Sequence, residues 1–434
     1  LLHWNPKHKR IETYDGRETA PMAATPELFL KSDGTPMGFV EAVVGGRSVG
    51  APGAMAMLEM AHQEHGVLPW ADLFGPALNL AEDGFPVSKR LAAAIAGDPA
   101  LAMIPASAAY FRPNGMALSE GQIVKNPDYA ATLRALREQG AKAMREGPLA
   151  QAIVDAVRNA PFNAGTLTLQ DLQAYQPIKR EAVCGVYRKH KVCSMGPPSS
   201  GATTMLQTLA YLERFNIGAL DPGGVKEAHL YGEASRAAFA DRDEYLADPK
   251  WMTVRVSDLL NPRYLRERAA LISMTGRRED FAPGSPGGAT PQRTPTLDMS
   301  RPGTAHLSVI DAKGRAVALT TTVEGGFGSH LMAGGFVLNN QLTDFVFSPV
   351  KNGKPAANAP GPGKRPLSSM TPTFVFDPKG RLKAIVGSPG GWRIIPYVAR
   401  TVVALIDWQM NAGDAVALRH VTGRGKNVEL EKGA

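Results

Sequence analysis

Cysteine is scarce in this chain: two in 434 residues, Cys184 and Cys193. A single pair makes no disulfide framework at this size. Both are read as free buried thiols, with a facing pair across a hairpin around 187–190 as the alternative. Long apolar runs are missing too, and no stretch reaches the length that spans a bilayer. No signal peptide is visible at Leu1. Leu1-Leu2-His3-Trp4 reads as the middle of a strand, so the chain is expected to begin inside a longer precursor. Charge of one sign is nowhere concentrated: 48 basic and 40 acidic residues give +8, spread along the chain. Lys7-His8-Lys9-Arg10 and Arg188-Lys189-His190-Lys191 lack interleaved aromatics, which favours solvated faces over nucleic-acid binding.

Familiar motifs are absent as well. There is no Walker loop and no dinucleotide fingerprint between a strand and a helix. His62 and His65 lie three apart on a predicted helix, but no cysteine or carboxylate pattern completes a zinc site. They are read as satisfied surface histidines, and neither metal nor cofactor is expected.

What remains is an ordinary globular composition, 44% hydrophobic and 20% charged, enough for one large domain or two to three smaller ones. Helical spacing runs through most of 45–96, then 129–157, 203–215, 225–246 and 262–272. Thr168 followed by Asp171 predicts a capped helix start. Residues 274–303 carry Pro283, Pro286, Pro291, Pro295 and Pro302 without an apolar period and read as a linker. Strands are expected around both cysteines and over 305–311, 316–323, 335–339, 373–376 and 382–386, before a helix over 395–410. This order predicts an α+β fold with a helix–sheet–sheet–helix core.

Chemistry concentrates after the linker. In Gly303-Thr304 a hydroxyl residue follows a small one, just before a strand. Such a threonine can attack the preceding peptide bond and become a new N-terminus. Its α-amine, with an ordinary pKa of about 7.7–8.0, would then serve as base for its own hydroxyl. Downstream lie the polar strand end Thr320-Thr321-Thr322-Val323-Glu324, the cluster Asn339-Asn340-Gln341-Leu342-Thr343-Asp344, and Ser368-Ser369 between Pro366 and Pro372. Gly387-Ser388-Pro389-Gly390-Gly391 leads into the last long helix. Glycines before a helix point backbone N–H groups at an anion, here the oxyanion of an acyl transfer.

These segments, with Asp15-Gly16-Arg17-Glu18-Thr19-Ala20-Pro21, Ser48–Gly53, Ala81–Ser88, Pro197-Pro198-Ser199-Ser200-Gly201 and Ala238-Phe239-Ala240-Asp241-Arg242, resemble the γ-glutamyltransferase family of N-terminal-nucleophile hydrolases. The likeness runs along nearly the whole chain. It implies a four-layer αββα sandwich with extra helices, and a large-subunit portion 1–303 and a small-subunit portion 304–434, each lacking part of the family's length. It further implies cleavage between Gly303 and Thr304, Thr304 as nucleophile, Thr322 as its hydrogen-bonding partner, and Gly390 and Gly391 as oxyanion hole. Arg17, Ser368 and Ser369 match the groups that hold the donor's α-carboxylate, and Gln341 and Asp344 those that receive its α-ammonium. The implied reactants are a glutathione-like γ-glutamyl donor and an amine or water, in the periplasm or outside the cell.

Two departures stand out. Glu324 occupies a position where many members have asparagine, and it is expected to contact substrate. Residues 348–363 replace a lid that carries a tyrosine in some members. No aromatic occurs there, which argues against a closed, water-excluding lid. The alternatives are a glutaryl-type cephalosporin acylase and, from another class, an uncleaved inactive binding protein.

Overall fold

A computed structural model describes residues 1–291, 303–351 and 353–432. Two antiparallel sheets lie at its centre. Their strands are β1 (Leu2–Asn5), β2 (Arg10–Asp15), β3 (Ile178–Arg180), β4 (Val183–Tyr187), β5 (His190–Ser194), β6 (Thr304–Ile310), β7 (Ala316–Thr322), β8 (Thr373–Phe376) and β9 (Leu382–Val386). The first sheet has the order β3-β2-β1-β7-β6, the second β9-β8-β5-β4. Each sheet therefore draws strands from both sides of Gly303.

The inner faces meet through Leu2, Trp4, Ala316 and Ala318 of the first sheet and Cys193, Phe374 and Phe376 of the second. Size alternates across this layer. The alanines of β7 leave room for aromatics, and the Trp4 and Phe376 rings meet edge-on at 4.7 Å, a preferred aromatic geometry. Truncating a fully buried ring such as Phe374 would cost about 3–5 kcal/mol.

Helices cover both outer faces, completing the four layers. On one side are α1 (Ala54–His65), α2 (Pro127–Gln139) and α3 (Gly147–Arg158). On the other are α4 (Gly201–Leu212), α5 (Val225–Tyr245) and α6 (Ile394–Ile406). The predicted cap at Thr168 forms: its hydroxyl and the Asp171 carboxylate satisfy each other's backbone N–H groups. The charged helix α5 is mostly buried. Its charges are paired, Arg236 with Glu233, Arg268 with Asp241, and Arg424 with Asp243, as buried ions must be.

Several expectations change. Cys184 and Cys193 are not free thiols. They face each other across the β4–β5 hairpin and form a disulfide. His65 is satisfied as expected, by Glu12 at 2.9 Å, but it is half-buried against the sheet, stacked on His3 at 3.9 Å; His62 is satisfied by the Leu68 carbonyl. The strand over 335–339 shrinks to Phe336–Val337, since Asn339 turns away to bond both backbone groups of Gly50. The helix expected over 395–410 stops at Ile406, where Asp407 binds Tyr187 and Arg188. Residues 274–291 form an anchored loop: Arg278 N–H donates to Glu233 and Gly284 N–H to Asp241. The rest of the predicted linker up to Pro302 lies outside the described residues. A hairpin, Val421–Arg424 with Asn427–Leu430, was not anticipated.

Candidate functional site

Strand pairing sets the centre of the site. Antiparallel register places Thr304, the first residue of β6, opposite Thr322, the last of β7. Opposed residues project to the same face, and the Thr304 hydroxyl donates to Thr322 Oγ1 at 3.1 Å. Thr322 Oγ1 also accepts the backbone N–H of Glu324 at 2.8 Å. Gly303 lies against the next turn, where a Cβ would sit 2.3 Å from the Glu324 carbonyl oxygen. Only glycine fits there.

That turn is held from below. Glu324 adopts φ +78°, an uncommon conformation for a non-glycine residue. Asn340, fully buried, donates to the Glu324 carboxylate at 2.6 Å and accepts the Gly325 N–H at 2.8 Å. Glu324 is thus a buried pocket residue rather than a surface turn glutamate.

Arg17 follows β2 and enters from the other side of the chain. Its Nε donates to the Pro366 carbonyl at 3.1 Å, and Nη2 donates to the Leu367 carbonyl at 2.8 Å and to Asp344 at 2.5 Å. Nη1 takes part in none of these bonds. Asp344 also accepts from Gln341 Nε2 at 2.9 Å. The Gln341 side-chain oxygen is buried without a hydrogen-bond partner among the described residues.

The Ser368–Ser369 loop is clasped by segments whose purpose was not legible earlier. Ser200 donates to the Ser368 carbonyl through both N–H and hydroxyl, and Ser199 donates to the Met370 carbonyl. Buried Arg242 donates to both the Ser200 and Ser369 hydroxyls. The Pro197–Gly201 and Ala238–Arg242 motifs therefore position the serine loop.

One pocket is lined by Arg17, Thr304, Thr322, Glu324, Gln341, Asp344, Ser368, Ser369 and Gly391, together with Met370 and Ile394. Every predicted site residue lines it except Gly303, which precedes Thr304, and Gly390, which stands next to Gly391 at φ +143°. The pocket thus joins a hydroxyl pair, one arginine, two carboxylates and two serines: the means to attack a carbonyl and to grip a zwitterion. No metal-ligand cluster occurs among these lining residues.

Two neighbours went unnoticed in the sequence. His306, two residues after Thr304, bonds the Thr320 hydroxyl at 2.8 Å, and burial pushes its pKa down to about 4. Its ring lies against Gly387, where a Cβ would come within 2.1 Å of it, so it links strand β6 to the glycine loop. The only hint was its spacing from Thr304. Glu18, beside Arg17, is buried, and burial raises its pKa to about 7 against the opposing pull of Arg17. Its signal was a carboxylate inside the Asp15–Pro21 motif.

A family model described as Gamma-glutamyltranspeptidase matches residues 1–434. The glutathione hydrolase proenzyme of Bacillus subtilis (strain 168) is 36% identical over 425 residues, covering 96% of this chain and 71% of the relative. The acylase ACY 1 proenzyme of Pseudomonas sp. (strain V22) is 35% identical over 395 residues, covering 90% of this chain and 67% of that one. The crystal structure of cephalosporin acylase from Bacillus halodurans superposes with a TM-score of 0.83 at 26% identity, over 100% of this chain and 76% of that chain.

Proposed function

The chain belongs to the gamma-glutamyltranspeptidase family, and from that premise we propose that it is a self-processing γ-glutamyltransferase and hydrolase acting on γ-glutamyl amides such as glutathione. The observation that carries this reading is the single pocket that holds the Thr304–Thr322 hydroxyl pair and the Arg17, Gln341 and Asp344 groups together.

Processing comes first in the proposal. Thr304 Oγ1 adds to the Gly303 carbonyl while its proton passes away through Thr322. The Gly303–Thr304 C–N bond breaks, the nitrogen takes a proton, and an ester remains until water cleaves it. Portions 1–303 and 304–434 result. The freed α-amine then accepts the Thr304 hydroxyl proton, and the oxygen attacks the γ-carbonyl of the donor. The backbone N–H groups of Gly390 and Gly391 receive the oxyanion, an interaction whose loss typically costs 10²–10³ in rate. The leaving amine departs with the proton. Water or an incoming amine resolves the γ-glutamyl ester.

Arg17, Ser368 and Ser369 take the donor's α-carboxylate in this reading. Asp344, Glu324 and Gln341 take its α-ammonium, which would satisfy the orphaned Gln341 oxygen. A glutaryl donor has no ammonium to offer it. Acylase ACY 1 and cephalosporin acylase likenesses keep a glutaryl-type reading as the competitor. A periplasmic or secreted location belongs to the same proposal and is supported by the Cys184–Cys193 disulfide, since such bonds persist in oxidising compartments. Among the described residues no helix is long and apolar enough to cross a membrane.

Intact mass spectrometry tests the processing step: two species are expected, broken between Gly303 and Thr304. The specificity constants for a γ-glutamyl and a glutaryl anilide test the substrate class. A single uncut mass in active protein, or preference for the glutaryl compound, overturns the corresponding half.

A further inference from the structure

On the helix-facing side of the first sheet, away from the pocket, three potential ligands converge. His3 on β1 and Glu12 on β2 are direct cross-strand partners. His65, the last residue of α1, comes down upon them. Their ligating atoms all lie within 4.8 Å of one another. Glu12 Oε2 is 2.9 Å from His65 Nε2 and 3.6 Å from His3 Nδ1.

Two features set this group apart from an ordinary polar network. First, His3 is 5% exposed, and its Nδ1 has no hydrogen-bond partner among the described residues; a buried orphan of this kind calls for an explanation. Second, the two oxygens of Glu12 are divided. Lys179, at 3.2 Å, and Arg10, at 3.6 Å, engage Oε1, which leaves Oε2 to the histidines. A ligating carboxylate held from behind through its other oxygen is a recurrent arrangement.

We propose that His3 Nδ1, Glu12 Oε2 and His65 Nε2 form a binding site for a divalent transition cation of the zinc class. Two imidazoles and one carboxylate suit such an ion. Atoms no more than 4.8 Å apart put a central ion at most about 2.8 Å from each; the His3 and His65 rings, stacked at 3.9 Å, swing apart on binding so that both in-plane lone pairs reach it at the ~2.0–2.2 Å of zinc bonds. Tyr14, whose hydroxyl is 2.7 Å from His65 Nε2, gives way to the ion and keeps its bond to Glu64. The fourth position falls to water or to Glu64, whose Oε2 is 3.8 Å from His65 Nε2. Binding uses the His65 tautomer that carries its proton on Nδ1. The site would fasten the end of α1 to β1 and β2, with Glu12 five residues before Arg17.

Zinc alone, added to the untagged, chelator-treated full chain, provides the test. Calorimetry is expected to show one equivalent bound, with affinity at least tenfold weaker in His3→Gln, Glu12→Gln and His65→Gln. Cobalt(II) should give the visible absorption of a four-coordinate site in the wild type and lose it in the same variants. His62→Gln, on the same helix but bonded to the Leu68 carbonyl, should bind like wild type. Equal affinity in wild type and all three variants overturns the proposal, as does loss of binding in His62→Gln instead. If His3→Gln does not fold, the near-isosteric Glu12→Gln and the wild-type cobalt spectrum still decide the matter.

Discussion

The Arg17 guanidinium and the Asp344 carboxylate meet at 2.5 Å although 327 residues separate them in the chain. One comes from each side of Gly303, and neither is more than slightly exposed. Two carbonyls and Asp344 fix the guanidinium plane through its fork of donors. A lysine offers one point charge and cannot reproduce that fork. Arg17→Lys should therefore raise the Michaelis constant for a γ-glutamyl anilide about tenfold or more, from the ~1.5–3 kcal/mol of a charge-assisted bond. Cleavage at Gly303 should proceed normally on a gel. Unchanged donor kinetics would remove Arg17 from carboxylate binding.

Asp344→Asn separates the two substrate classes. The variant keeps shape but loses the charge that would meet an ammonium. Turnover of the γ-glutamyl anilide should fall by about the same ~1.5–3 kcal/mol, and that of the glutaryl anilide much less. The ratio of the two specificity constants is the measurement; a ratio that stays fixed defeats the ammonium assignment.

Thr304→Ala should give one uncut, inactive chain. Thr322→Val removes the hydroxyl that accepts from Thr304 and from the Glu324 N–H and should slow self-cleavage by at least roughly three- to tenfold, the worth of one neutral hydrogen bond at ~0.5–1.5 kcal/mol. A time course of band splitting reads this directly. Two bands from Thr304→Ala would mean that another group does the cutting.

Glu18 makes stability depend on pH. Burial raises its folded pKa to about 7, above the ~4.3 of an unfolded glutamate. The folded state thus binds the proton more tightly. Its contribution is complete below the unfolded value and is lost as pH rises through about 7. Glu18→Gln should gain stability relative to wild type between pH 5 and 8, by at most ~3 kcal/mol. Denaturant titrations at the two pH values check this, and a pH-independent difference counts against a buried acid.

The Cys184–Cys193 bond closes a loop with a sequence separation of 9, for which chain entropy predicts about 3 kcal/mol. Cys184 is exposed, so reductant should reach the bond in the folded protein. Melting with and without reductant should differ in wild type and coincide in Cys184→Ser/Cys193→Ser.

Local signals were the legible ones. The Thr168–Asp171 cap, the helices that became α1 to α5, and the strand that became β7 could be read because each depends on residues within a turn or two. The two-sheet core followed from their order. Arg17, Gln341 and Asp344 were reachable only through the family resemblance, since no local pattern brings them together. Arg242 and Ser200 were visible as motif members, but their grip on the serine loop was not, because it needs three distant segments in contact. Glu324 was expected at the substrate, but the Asn340 amide that holds its carboxylate was not legible, because it lies sixteen residues on. The cysteine reading failed because composition says how many thiols there are, while strand register decides whether they face each other. His65 was judged against its neighbours on the helix, when its partners lie more than fifty residues earlier.

In the first sheet β7 is flanked by β1 and β6, and in the second β8 is flanked by β5 and β9. A chain cut at Gly303 would become two polypeptides dovetailed through both sheets. Unfolding would still be an event of one particle, but the return would need two to meet. Refolding of the mature form should therefore depend on concentration, whereas that of an uncut Thr304→Ala chain should not. Scission would convert a reversible fold into one that is assembled once and afterwards kept by its barrier to unfolding.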